Sequence, residues 1–244
     1  MLTGTIRATL AVLWLALAVA HVAAQEPRTP ANRPVVAILD FTNSALVDHD
    51  LYEPFTVGVA AMLLSELRQN SEIELVERER LRQVLDEIQL GRSGSVDQET
   101  AVRAGRILNA HHIIFGVFVI DPRGNLRLDA RAVSVETSRI EHVETVSDDA
   151  DNLLRAVRRL GEQLSTGLRL PARADRPGDP SEARDGQVMV NLKYARALME
   201  EDRRNPTRAV QLYREFLAES PSNYAVLMRE EAQERIRILT GGFD

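Results

Sequence analysis

Hydrophobic and polar positions follow four different patterns along this chain. Met1–Ala24 carries one charge, Arg7, then a mainly apolar run from Ala8 to Ala20 and the small residues Val22-Ala23-Ala24 before Gln25. A base, a short apolar run and a small-residue site make the pattern of a secretory signal peptide, with cleavage expected between Ala24 and Gln25. The run is 13 residues long, short of the ~20 needed to span a bilayer. Gln25–Pro34 holds three prolines and reads as a disordered lead-in over 25–34.

The second pattern, over 35–170, alternates short apolar runs with helical stripes. Val35–Leu39 is continuously apolar between Pro34 and Asp40, as in a strand buried on both faces. Pro54 stands where a helix would begin, and Phe55, Val59, Met62, Leu63 and Leu67 mark its apolar face. Glu72–Val76 alternates acid and hydrophobe, a second strand. Leu81, Val84, Leu85 and Ile88 form the next helix stripe, which Gly91-Arg-Ser-Gly94 ends. Ser95 with Gln98 predicts a capping box before Ala101, Ala104, Ile107 and Leu108. His112–Ile120 is the strongest strand, and turn-rich Asp121–Asn125 leads into the alternating positions Leu126–Ala132. Ile140–Val146 completes a meander. A final helix opens with Asp148, Asp149 and Asp151 and carries Arg155, Arg158 and Arg159 further on, matching the helix dipole. The order β-α-β-α-α-β-β-β-α predicts an α/β fold, a mixed β-sheet covered by helices.

The third pattern is a linker at 171–186 with three prolines, two glycines and seven charges. The fourth, 187–240, predicts a small all-α domain with helices over Gln187–Asp202, Pro206–Glu219 and Ser222–Leu239. Ala197, Ala209, Tyr213 and Pro221 have the spacing of tetratricopeptide repeats, although Arg196 and Glu200 stand where that motif carries Leu and Tyr. One repeat cannot bury its own face. The tail must therefore dock on the body, self-associate or hold a partner. Tyr194, Tyr213, Phe216 and Tyr224 are the candidate partner contacts, against the simpler expectation that aromatics at helical spacing are core.

Composition removes several classes of function. With 36 acids against 30 bases the chain of 244 residues has a net charge of −6, or 29 − 36 = −7 once Arg7 is cleaved off. Nucleic-acid binding is not expected on such a surface. Without cysteine there are no disulfides, thiol nucleophiles, Cys-based metal sites or lipid-bearing Cys. No segment of the mature chain is apolar enough for a membrane helix. Charges at 127, 129, 131, 136, 139, 141 and 144 leave the meander no lipid-facing band. His111 and His112 are neighbours in an extended run and point to opposite faces. A hydrolase would have to gather Asp40 with His49 or His112 in one pocket. No nucleophile elbow, phosphate loop or dinucleotide fingerprint is present, so neither catalytic residues nor a cofactor or metal is expected.

The pieces Val36-Ala-Ile-Leu-Asp-Phe41, Leu75-Val-Glu-Arg78, Leu81 with Val84-Leu85-Asp-Glu87, Ser93-Gly94 before Val96-Asp97, Ala104-Gly105-Arg-Ile-Leu-Asn-Ala110 and Ile114-Phe-Gly116 stand in one order. Together, over about 35–169, they resemble the CsgG family, the curli production assembly/transport components. The resemblance implies the α/β domain shared with lipoprotein activators of penicillin-binding proteins and with the N-terminal domain of TolB. It also implies residence at the cell envelope. The lipid-bearing Cys and membrane hairpins of the family's secretion channels are absent, so the resemblance carries the fold and not the pore. It further implies that Glu77 and Arg78 pair at a strand–helix junction. Gly105 and Gly116 are expected to permit close packing. The expected function is a non-enzymatic, exported, periplasmic accessory or adaptor with envelope proteins or itself as partner. The alternatives are an oligomeric component of a curli-type secretion apparatus and an activator of a peptidoglycan synthase.

Overall fold

The computed structural model describes residues 33–88, 97–170, 187–222 and 226–241. The signal-peptide site at Ala24 and Gln25, the linker over 171–186, Ser95 and Tyr224 lie outside these residues. The first apolar run becomes β1 (Val35–Ile38), followed by β2 (Thr42–Asn43), α1 (His49–Tyr52), α2 (Phe55–Arg68), β3 (Glu74–Leu75), α3 (Arg78–Glu87) and α4 (Gln98–Leu108). The meander is β4 (His112–Ile120), β5 (Asn125–Ser134) and β6 (Arg139–Asp149). A 3-10 turn at Ala150–Asn152 leads into α5 (Leu153–Gly167), and the tail is α6 (Val188–Asp202), α7 (Pro206–Glu219) and α8 (Val226–Leu239).

The sheet order is β3-β1-β4-β5-β6, with β2 paired to β4 beyond the end of β1. Strand β1 runs parallel to β3 and β4, and β4, β5 and β6 are antiparallel. Parallel neighbours need crossover helices, which α2 supplies on one side and α3 with α4 on the other. The sheet is thus mixed and covered by helices, as its pattern predicts.

Several local expectations are corrected. The strand expected at 72–76 pairs only at Glu74 and Leu75. Helix α4 is capped by Asp97, which accepts from Thr100 N at 2.8 Å, because its extended backbone points the carboxylate at the third turn amide. Strand β2 and helix α1 were not legible, since two and four residues carry no period. The aspartates before α5 divide their roles. Asp149 accepts from Asp151 N at 2.9 Å, and Asp148 is bonded by Arg155 at 2.6 and 2.9 Å.

Two apolar layers cover the two sheet faces. The thinner one joins Ala37, Leu39, Ile113, Phe115, Val133 and Val135 to Leu81, Val84, Ala101, Ala104 and Leu108 of α3 and α4. The thicker one joins Val36, Ile38, Ile114, Phe118, Leu126, Leu128, Ala130 and Ala132 to α2, α5 and the tail. Burial passes from one layer to the other between Ala132 and Val133, where the β5–β6 register shifts. Helix α2 is buried nearly all round, from Phe55 to Leu67. A helix that is apolar on every side needs cover on two sides; here the sheet supplies one and the tail the other. A Cβ added at Gly58 of α2 would lie 2.6 Å from Ala195 Cβ of α6, so that crossing depends on glycine. Body and tail fall in one compact unit, Arg33–Asp244.

Candidate functional site: the seam between body and tail

The Glu77–Arg78 pairing implied by the resemblance does not form. Glu77 has extended backbone just before α3, where its side chain makes no capping bond, and lies 3.4 Å from Arg68. Arg78, one residue inside the helix, turns instead to the tail. Both Arg78 and Arg82, one turn apart on α3, bond the Asp202 carboxylate at the C-terminal end of α6. The Arg82 contact is 2.7 Å, and its second nitrogen reaches the Asp202 carbonyl at 3.3 Å. A cation at a helix C-terminus is favourably placed. The three side chains are largely withdrawn from water, 17% exposed for Arg78, 25% for Arg82 and 20% for Asp202.

Asp40, after β1, faces this clamp. It keeps a solvent-facing side, yet the protein around it withholds hydration and the Asp202 charge repels it. These outweigh Arg78 and Arg82, and its pKa is pushed up to about 6. For Arg78, burial works against the charge, but Asp202 and Asp40 overcome it and hold its pKa above the usual value.

The network continues inside the tail. Glu201, next to Asp202, turns inward to Arg235, 3.0 Å from its Nε, and accepts from the Tyr213 hydroxyl. Glu231 of α8 accepts from Ser65 Oγ of α2 at 2.8 Å, a second polar bond across the seam. Burial, then the neighbouring Glu231 charge, raise the Tyr194 pKa well above its usual value.

The structure also decides where the candidate contact aromatics go. Tyr194, Tyr213 and Phe216 are fully buried. Their rings pack on one another, with centroids 5.3 Å apart for Tyr194–Phe216 and 5.9 Å for Tyr194–Tyr213. They do not line an open groove. Their apolar area is worth more inside the shared core than in water, so they serve the packing of the tail.

The remaining candidate groups stay apart. His111 Nδ1 accepts from Val35 N at 2.9 Å. His112 Nδ1 lies 3.1 Å from Glu141, His142 Nε2 lies 2.6 Å from Glu144, and exposed His49 lies 3.9 Å from Asp50. Burial lowers the His112 pKa, against the opposing pull of Glu141. Asp40 meets arginines and Asp202 rather than a histidine, so the hydrolase constellation is not assembled. Among the described residues, no group of three or more histidines, aspartates or glutamates is placed to hold a metal ion. The apolar crevice beside Met62, Leu154, Val157 and Met228 offers about 60 Å³, room for a few waters. Two apolar side chains stand out on the sheet edge, Ile140 at 41% and Val143 at 55% exposure. No described helix is long and apolar enough to cross a membrane.

The profile of the family described as curli production assembly/transport component CsgG matches residues 17–120. That stretch is shorter than half of the chain and ends with β4. A search of the curated proteins finds no match. Among solved structures, the LpoB C-terminal domain from Escherichia coli is 14% identical with a TM-score of 0.36, covering 48% of this chain and 83% of that one. Lipoprotein GNA1162 from Neisseria meningitidis is 10% identical, TM-score 0.41, covering 55% and 98%. TolB from Acinetobacter baumannii is 13% identical, TM-score 0.38, covering 62% and 30%. At such scores the fold rests on this chain's own sheet topology.

Proposed function

We propose that this chain is a non-enzymatic accessory protein of the cell envelope, exported through Met1–Ala24 and acting by protein–protein contact. The observation that carries the reading is the CsgG-family match over residues 17–120. In this reading the tail does not hold a partner through its aromatics. It completes the core over α2 and leaves partner contact to the body's free surfaces. N-terminal sequencing of the protein recovered from the periplasmic fraction tests the reading. The expected N-terminus is Gln25; a chain that stays in the cytoplasm with Met1 in place overturns it.

The second reading, an oligomeric part of a curli-type secretion apparatus, is supported by the curli assembly/transport description of the family whose profile matches residues 17–120. Light scattering on Gln25–Asp244 separates the two. A ring-sized species of fixed stoichiometry favours the apparatus, and a monomer or small oligomer favours the accessory role.

A further inference from the structure

Strand β6 is eleven residues long and ends the sheet, with no described strand on its outer side. Such an edge is a template for another strand unless it is defended, and scattered charge is the usual defence. Here the charges are arranged so that the strand complements itself. Val143 pairs across β5 with Arg131 and Ile140 with Val133; Arg139 pairs with Ser134 and Glu144 with Ala130. Cross-strand partners share a face and alternate positions of β5 share a face. Ile140 and Val143 therefore lie on one face, and Arg139 and Glu144 on the other. Residues three or five apart could not do so in a regular strand. The register shift between Ala132 and Val133, which leaves Glu141 as the extra residue, makes it possible.

Read in the opposite direction, Arg139-Ile-Glu-His-Val-Glu144 matches its own complement. Arg139 of one copy falls opposite Glu144 of the other, Ile140 opposite Val143, and Glu141 opposite His142. Each pair occurs twice, no like charges oppose, and every face is kept. A register one residue longer would set Ile140 against Glu144, which lies on the other face. The two apolar side chains of the edge that stand exposed are the pair this register covers.

We infer that β6 is a homotypic edge, on which a second copy of this chain adds its β6 antiparallel about a two-fold axis between Glu141 and His142. The contact is isologous and closes at two copies. Six residues per strand bury little area, so the dimer is concentration-dependent. This inference stands on β6 alone and is independent of the envelope reading.

The chain lacks cysteine, which allows a clean cross-linking test on Gln25–Asp244. The double variant Ile140→Cys/Val143→Cys is expected to form a disulfide-linked dimer under mild oxidation, because the two positions oppose each other. Val143→Cys alone is expected to cross-link at least tenfold more slowly. In parallel, light scattering should show the mass doubling with concentration. Arg139→Glu should hold the chain monomeric, and Arg139→Glu/Glu144→Arg should restore the dimer. The inference is overturned by a wild-type monomer at every concentration, by a larger multimer, by Val143→Cys cross-linking as fast as the double variant, or by a charge swap that fails to rescue.

Discussion

The two helical layers of this protein cover the same sheet but are built differently. Helices α3 and α4 lie on their face as a single layer: α3 buries Leu81 and Val84, α4 buries Ala101, Val102, Ala104, Gly105 and Leu108, and apart from the Arg78 and Arg82 contacts to Asp202 their other sides turn to water. Helix α2 is buried on both sides, between the sheet and α6–α8. The single layer could be lost in patches. The double layer cannot lose its outer part without exposing α2, so the tail is a structural necessity of the body and not an appendage.

The largest effect should come from cutting that double layer. Phe216→Ala is expected to lower stability by about 3–5 kcal/mol, the cost of emptying a large buried site. The loss should appear in one cooperative urea transition that includes the sheet. A body transition that keeps its midpoint while the tail melts separately would break the comparison. Leu81→Ala in the single layer should cost ~2–4 kcal/mol.

Next comes the α2–α6 crossing. Gly58→Ala gains up to ~1 kcal/mol of helix preference but drives a Cβ to 2.6 Å from that of Ala195, which is fixed to its backbone. A net loss of about 1–2 kcal/mol is expected from overpacking, and Ala195→Gly should relieve it. Gly105→Ala in the single layer meets Val135 Cγ2 at 2.4 Å and Ile113 Cδ1 at 2.8 Å. Both side chains are buried and branched, so they yield only by small shifts, but their γ and δ carbons lie further from the backbone than the Ala195 Cβ, and the thermal midpoint should fall less. Equal losses at the two glycines would remove the distinction between a rigid and a yielding crossing.

The sheet, its strand order of types and most helices were legible because each has a period or a buried run long enough to read. The double cover of α2 had a signal as well, since Val57, Ala60, Ala61 and Leu64 fill the positions between the expected stripe residues. A stripe at helical spacing marks one face and says nothing of the opposite one. The seam itself was hidden. Asp202 and Arg78 are 124 positions apart, and nothing local tells Arg78 to ignore its neighbour Glu77 for a helix end so far along the chain. The tail aromatics showed the opposite problem: their spacing was plain, but spacing alone does not say whether a groove is open or already filled by the chain's own α2.

Smaller effects on stability should come from proton uptake, with opposite signs at two sites. Asp40 has its folded pKa raised to about 6 from 3.8, so the folded state holds the proton more tightly. Its contribution falls as pH climbs from about 4 to about 6 and is fully lost above that window. His112 has its folded pKa lowered from 6.5, so its contribution is complete above 6.5 and declines as pH falls below it. The two partly cancel in the wild type. Asp40→Asn should leave the His112 decline alone, so the thermal midpoint drops more steeply from pH 7 to pH 5. His112→Gln should leave the Asp40 gain, and the midpoint should rise over the same interval. Parallel profiles for wild type and Asp40→Asn would show that Asp40 titrates as an ordinary surface carboxylate and that the clamp does not sense it.

The smallest effects should come from exposed ion pairs, and they test whether the contrast between the layers is one of packing or of charge. Glu99 and Arg103 lie 4.0 Å apart on α4, both more than half exposed. Glu234 and Arg237 pair on α8, also open to water. Water screens both pairs and the long side chains lose freedom in making them. Glu99→Ala and Arg237→Ala should each cost less than about 0.5 kcal/mol by urea denaturation, on the single and the double layer alike. If Arg237→Ala cost several times more than Glu99→Ala, charge on the tail surface would be holding the outer layer. The buried aromatics would then not account for the difference between the two sides of the sheet.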